Sequence, residues 1–198
     1  MNLPNLLTLS RILLVPFFVL VYVIPGEGTY LYAAALFALA AFTDWLDGYL
    51  ARRLDQTTPF GAFLDPVADK LIVVTALVLL VGRHSTLWLT LPAIIIVGRE
   101  IVVSALREWM AEMNRRGAVR VSWLGQVKTT LQMIALVVLL ANPPGFEDNW
   151  VTLGYVLLYV AAFMTLWSMI MYLQAAWPTL RSGWRQSGRK DSATGPHS

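Results

Sequence analysis

The sequence predicts an all-α, polytopic membrane protein with six transmembrane helices and both termini in the cytoplasm. Three observations carry that expectation. The first is a shortage of charge: 14% of the 198 residues are charged and 57% are hydrophobic, and the mean hydropathy is +0.61. Soluble domains carry about 25% charge, so this chain lacks the polar surface to face water all round. The second is length. A bilayer span takes about 20 apolar residues, so six take about 120, leaving short connections and no room for a sizeable soluble domain. The third is a lopsided distribution of Lys and Arg between alternate connections, which sets orientation. Together these exclude a soluble enzyme, a disordered chain and a secreted disulfide scaffold. The absence of cysteine also excludes thiol catalysis, zinc–cysteine sites and iron–sulfur clusters.

Span one runs roughly from Leu6 to Ile24 and ends at Pro25-Gly26-Glu27-Gly28. It has no basic segment before it and no small-residue cleavage site, so it does not read as a signal peptide. Span two covers about Tyr30 to Leu50 and closes on Arg52-Arg53; span three covers about Gly61 to Val81. Span four runs from about Leu87 to Met110, and span five from about Val127 to Ala141. Span six runs from about Trp150 to Ala176, before Pro178. Backbone groups in lipid must be satisfied internally, so each span should be a helix. The connections after spans two and four, with the tail, hold Arg52, Arg53, Arg107, Arg115, Arg116, Arg120, Lys128, Arg181, Arg185, Arg189 and Lys190. The opposite connections hold Glu27, Arg83, Glu147 and Asp148. The basic side is therefore cytoplasmic. Residues 1–177 form one membrane domain, and residues 178–198 read as a polar, mobile cytoplasmic tail.

Four of the twelve acidic residues, Asp44, Asp47, Asp65 and Asp69, fall at helix-compatible spacing within 26 consecutive positions. Asp44 and Asp47 are i and i+3 near the cytoplasmic end of span two; Asp65 and Asp69 are i and i+4 at the start of span three. Each pair shares a helix face, and the turn between them brings the spans back antiparallel, so all four carboxylates can converge. An uncompensated carboxylate at a helix centre costs about 2.5–3.5 kcal/mol on insertion scales. Packed like charges take up protons or recruit cations. Four carboxylates balance two divalent ions, and all-oxygen ligation favours magnesium, manganese or calcium over zinc. Gly48, Ala51 and Gly61 strip bulk from the same faces, so that a polyanion can approach the backbone. Arg52 adds a guanidinium suited to phosphate. Singly, any of these aspartates could be a loop residue paired with Arg52, Arg53 or Lys70; the set in this register points to a site.

The same residues carry a resemblance. The segment Asp44-x2-Asp47-Gly48-x2-Ala51-Arg52-x8-Gly61-x3-Asp65-x3-Asp69 has every fixed position of the signature of the CDP-alcohol phosphatidyltransferase family. Outside it, the chain is similar to the members that use sn-glycerol 3-phosphate as acceptor. That likeness is carried by Pro4–Thr8 with Arg11, Phe63–Lys70, Ala105–Glu112 and Lys128–Met133, and fades around Glu147 and after Pro178. The resemblance implies transfer of a phosphatidyl group from CDP-diacylglycerol to glycerol 3-phosphate with release of CMP. It implies six helices in the bacterial inner membrane, a site open to the cytoplasm, a divalent cation (Mg2+ or Mn2+, two per site) and a homodimer. Asp44, Asp47 and Asp65 would be metal ligands, and Asp69 a ligand, the base that takes the proton from the attacking hydroxyl, or both. Gly48, Ala51, Arg52 and Gly61 would line the CDP-diacylglycerol.

An acceptor that carries a phosphate calls for a second, basic pocket. Arg99 lies inside the apolar run Ile94–Val103, where an unpaired guanidinium is expensive. Arg107 is two turns on, Lys128 opens span five, and Thr8 and Arg11 open span one. We expect Arg99, Arg107 and Lys128 to hold the glycerol phosphate, with Thr8 and Arg11 nearby. The plainer alternative is an internal Arg99–Glu pair, with the other cations snorkelling to headgroups. Arg115, Arg116, Arg120 and the tail cations read as topology determinants and contacts for anionic lipids. His84 falls in an outer loop and His197 in the tail, so no histidine is expected at the acidic cleft. Tryptophans 88, 109, 123, 150 and 177 sit near span ends, as in aromatic belts. Two other readings share these features: the same chemistry on phosphatidylglycerol or inositol phosphate, and a divalent-cation carrier. Against the carrier, the spans hold no acidic residue towards their outer ends; Glu27, Glu147 and Asp148 lie only in the connections.

Overall fold

The structure, a computed structural model, describes residues 3–26, 28–54, 59–112, 123–145 and 148–191. Within its helices, the side chains of residues 3–5, 44–45, 47–54, 59–60, 62–63, 65, 111–112, 123–126, 175–176 and 178–191 lie outside that description. Six helices follow one another: α1 Leu3–Val23, α2 Thr29–Leu54, α3 Pro59–His84, α4 Leu87–Glu112, α5 Trp123–Ala141 and α6 Asn149–Asp191. Among the described residues there is no strand. Three of the helices contain stretches long and apolar enough to cross a membrane, Leu6–Val23, Leu87–Met110 and Asn149–Gln174. Shorter apolar stretches occupy Thr29–Thr43 and Val127–Ala141. Prolines 16, 66 and 92 lie inside α1, α3 and α4. A buried bundle tolerates them because neighbouring groups re-satisfy the freed carbonyl.

The helix ends are set by local chemistry. Ser85 adopts φ 51°, a left-handed residue that stops α3, and its N–H closes on the Val81 carbonyl at 2.9 Å, as helix C-termini do. Thr86 then starts α4, its carbonyl accepting from the Leu89 and Thr90 amides at 3.2 and 3.1 Å. Asp148 caps α6 by accepting from the Trp150 N–H at 2.9 Å, the ordinary N-cap contact. Pro178 does not end α6, whose backbone stays helical to Asp191. A proline removes one hydrogen bond and crowds the preceding turn, which kinks a helix more readily than it stops one.

Each helix buries one stripe. In α1 it is Thr8, Arg11, Val15, Phe18 and Tyr22, spaced three and four apart as a helix face requires. In α2 it is Ala33, Ala34, Phe37 and Ala40, small residues that let a neighbour approach closely. The order of packing closes a ring, α1–α2–α5–α6–α4–α3 and back to α1. Between α5 and α6 the packing is tight at Gly154, where an added Cβ would stand 2.7 Å from Leu139 Cγ. The outer faces are apolar, with Phe17, Leu20, Ile94, Ile101, Phe163 and Trp167 exposed, as a lipid-facing surface should be. Trp88, Trp150 and Trp177 are exposed too.

Spans two and three do come back towards each other, but α2 and α3 touch only sparingly; α1 packs along both. The polar face of α1 is therefore inserted beside the carboxylate-bearing ends of α2 and α3. The far end of the bundle is closed by a different set. Arg83 donates to the Tyr30 hydroxyl from Nε and Nη2 at 3.2 and 3.0 Å and lies over the Tyr30 and Tyr22 rings at 5.4 and 6.0 Å. His84, expected in a loop, is instead the last residue of α3 and is buried. Its Nδ1 meets the Tyr155 hydroxyl at 3.0 Å, which also shares a hydrogen bond with Thr86 at 3.1 Å.

Candidate active site

At the end opposite His84 the buried stripes change character. Apolar positions give way to Thr8 and Arg11 on α1, Arg99 on α4, Lys128 and Gln132 on α5, and Thr165 and Ser168 on α6, all buried. Such groups are tolerated inside an apolar bundle only when paired or when they await a ligand.

The acidic half sits where α2 ends and α3 begins. Asp44 and Asp47 lie in α2, and Asp65 and Asp69 in α3, so the helical spacing expected of each pair is present in the backbone. The side chains of Asp44, Asp47, Gly48, Ala51, Arg52 and Asp65 lie outside the described residues. Asp69 is described: its side chain is 48% exposed, and it accepts a hydrogen bond at 2.8 Å from Arg11 Nη1, whose own side chain is 1% exposed. Gly61 is buried two turns before it. Arg11 is thus tied to Asp69, and α1, which also carries the buried Thr8, packs on α2 and α3. Among the described residues no three metal-ligating side chains cluster. The donor set itself is all carboxylate, which suits a hard divalent cation.

The basic half is built by α4, α5 and α6. Lys128 Nζ donates to Ser168 Oγ at 3.0 Å. Arg99 Nη2 reaches the same oxygen at 3.5 Å, the long limit of a hydrogen bond. The Ser168 hydroxyl donates its hydrogen bond to the Thr165 carbonyl at 2.9 Å, so its oxygen is left to accept. Arg99 and Lys128 are 8% and 5% exposed. Arg99 also pairs with Glu100, the plainer alternative foreseen for it, yet that leaves two buried cations against one carboxylate. The Arg99 Nε is buried with no hydrogen-bond partner among the described residues. Such an arrangement could accommodate an anion with several acceptor oxygens. Arg107 stands apart and exposed, donating to the Tyr172 hydroxyl at 3.2 Å with its guanidinium 5.4 Å from that ring's centre.

Sequence reasoning missed Ser168, Thr165, Tyr172, Gln132 and Ser104. A usable signal existed: Thr165, Ser168 and Tyr172 are i, i+3 and i+7 on α6, and Gln132 is one turn beyond Lys128. Polar residues at helical spacing in apolar spans mark an interior polar face. His84 lies fifteen residues from Asp69 along α3, about 22 Å, so the carboxylates do not have it as a partner.

A sequence profile described as CDP-alcohol phosphatidyltransferase matches residues 1–167. The chain belongs to the CDP-alcohol phosphatidyltransferase family. The match to the CDP-alcohol phosphatidyltransferases takes in the whole segment from Asp44 to Asp69 together with Arg99 and Lys128. The chain is 61% identical, over 193 residues and 96% of both chains, to a CDP-diacylglycerol–glycerol-3-phosphate 3-phosphatidyltransferase of Pseudomonas fluorescens. It is 54% identical over 176 residues, 88% of this chain and 94% of each relative, to proteins of the same name from Escherichia coli (strain K12) and Shigella flexneri serotype 5b.

Proposed function

We propose that this protein is a membrane phosphatidyltransferase that joins CDP-diacylglycerol to sn-glycerol 3-phosphate, giving phosphatidylglycerophosphate and CMP in phospholipid biosynthesis. Relatives of that name cover nearly the whole chain. The observation that carries the acceptor is the meeting of Arg99 and Lys128, from two helices, on one neutral serine oxygen. A phosphate monoester satisfies both cations and the unpartnered Arg99 Nε. Phosphatidylglycerol, a diester lipid, offers a weaker match to that pocket.

In this reading Asp44, Asp47, Asp65 and Asp69 hold a divalent cation, Mg2+ or Mn2+, two per site. Bound there, the metal supplies charge neutralisation at the diphosphate, the main demand of phosphoryl transfer. Gly48, Ala51, Arg52 and Gly61 lie along the CDP-diacylglycerol. Arg99 and Lys128, with Arg107 at the mouth, bind and orient glycerol 3-phosphate. Its free hydroxyl attacks the phosphorus that bears the diacylglycerol; the bond to CMP breaks, and Asp69 accepts the hydroxyl proton. Arg11, bonded to Asp69, holds that carboxylate in place, and Thr8 packs one turn before it. The chain has no cysteine, and its described histidine is remote, so direct attack without a covalent enzyme intermediate is the simplest course.

The topology belongs to the same reading: six transmembrane helices in the bacterial inner membrane, both termini and the site cytoplasmic, basic segments against anionic lipids, and a homodimer. The deciding assay gives purified protein CDP-diacylglycerol, Mg2+ or Mn2+, and glycerol 3-phosphate, phosphatidylglycerol or inositol phosphate in turn, following CMP. Release with glycerol 3-phosphate is expected. Release with phosphatidylglycerol alone would overturn the acceptor, and none with any acceptor would revive a cation carrier.

A further inference from the structure

Between the acidic and basic halves runs the seam where α3 meets α4, the sparsest junction of the ring. Lys70, next to Asp69 on α3, donates to Ser104 Oγ on α4. Among the described residues this is the one side-chain hydrogen bond that joins the two helices. Ser104 lies four residues after Glu100 and three before Arg107, so the three share a face of α4. The bond therefore ties the helix of Asp69, in rotation and in depth, to the helix of Arg99 and Arg107.

We infer that Lys70 is a positioning residue: through Ser104 it sets the register between the carboxylate half and the cation half of the site. The inference deepens the proposed transfer reaction and rests on it for its kinetic readout. A direct displacement needs the attacking oxygen about 3–3.5 Å from phosphorus, and a 1 Å misplacement can cost about 100-fold in rate. Each half is assembled from its own residues, Arg11 with Asp69 in one and Arg99, Lys128 and Ser168 in the other. A loosened seam leaves both binding surfaces intact and separates them. Its signature is a fall in kcat without a matching rise in either KM.

The test uses the full chain with Lys70→Met, Lys70→Arg, Ser104→Ala and the Met/Ala double variant, titrating each substrate while following CMP. Lys70→Met is expected to lower kcat about 10- to 100-fold, Ser104→Ala less, with both KM values within about twofold. Lys70→Arg should recover most of the rate, and the double variant should be no slower than Lys70→Met alone. A tenfold rise in the glycerol 3-phosphate KM at unchanged kcat would instead make Lys70 a phosphate ligand and overturn the inference. So would a wild-type rate in Ser104→Ala, which also serves if Lys70→Met does not fold. A second measurement needs no turnover. The chain has no native cysteine, so spin labels at Leu71→Cys and Ile101→Cys, both exposed, report the α3–α4 distance. Lys70→Met and Ser104→Ala should broaden that distribution and Lys70→Arg restore it; an unchanged distribution sinks the inference. Wild-type protein that releases no CMP with glycerol 3-phosphate would count against the proposed function, while the distance measurement would still decide the role of Lys70.

Discussion

Both ends of this bundle gather polar side chains within an apolar chain, but they finish their hydrogen bonding in different ways. At the far end every partner is neutral and local. Arg83 is spread over two tyrosine rings and one hydroxyl, and His84, Tyr155 and Thr86 form a short chain tying α3, α6 and the turn before α4. At the site end two buried cations lean on one serine, and a half-exposed carboxylate faces a buried guanidinium. The first arrangement joins neutral partners across three helices and works as a clasp, with His84 Nε2 and the Tyr22 hydroxyl left buried without a hydrogen-bond partner among the described residues. The second holds two buried cations against one carboxylate, a surplus of positive charge that the proposed phosphate substrate would balance. Stability should therefore reside in the far end and turnover in the near one.

Asp69→Asn puts the contrast to its hardest test. If Asp69 is the base, CMP release should fall about 100- to 10,000-fold while the unfolding temperature stays within a few degrees; near-normal turnover would exclude it as an obligatory base. Lys128→Met comes next. Losing a charge-assisted contact costs about 1.5–3 kcal/mol, so the KM for glycerol 3-phosphate should rise about 10- to 100-fold, with the KM for CDP-diacylglycerol unchanged. A rise in both would mean the two halves are not separate.

Far-end changes should do the reverse. Tyr155→Phe strips His84 and Thr86 of a shared partner, costing about 1–3 kcal/mol. It should lower the Tm by about 2–8 °C and leave kcat and KM as they were. The smallest effect is one of pH. Burial holds the His84 imidazole below its ordinary pKa, so the folded chain keeps it neutral while the unfolded chain protonates near pH 6.5. The stabilisation is full above that pH and is lost as pH falls through the depressed folded-state value. Thermal unfolding at pH 8 and pH 5 should show the drop, and His84→Gln should shrink it. A steeper loss in the variant would remove His84 from the clasp.

The two ends also differ in how readable they were. The carboxylates could be found because four like charges at helical spacing are costly in an apolar chain, and Arg99 stood out for the same reason. Ser168 and Tyr155 could not be picked out one by one: a hydroxyl is cheap to carry in a helix and gains meaning only from what faces it across the bundle. The helices themselves were legible to within a few residues for α1 to α5, since apolar runs and Gly/Pro punctuation mark them. Their ring order was not. Nothing in the local pattern of α1 says that it lies along both α2 and α3, so the bond from Arg11 to Asp69 is not legible in the sequence.

That ring order bears on how the molecule is made. Within the ring the first four helices to be synthesised make up an open arc, α2–α1–α3–α4, with α2 and α4 as its flanks. The last hairpin bridges them, α5 against α2 and α6 against α4. Until it arrives Arg99 has no Ser168 to lean on and Lys128 has not been synthesised. The carboxylate-bearing helix ends are thus in place before the second cation, and a nascent chain short of Ser168 cannot present both halves together. Closure of the ring and the meeting of Arg99 with Lys128 on Ser168 therefore depend on the same last hairpin.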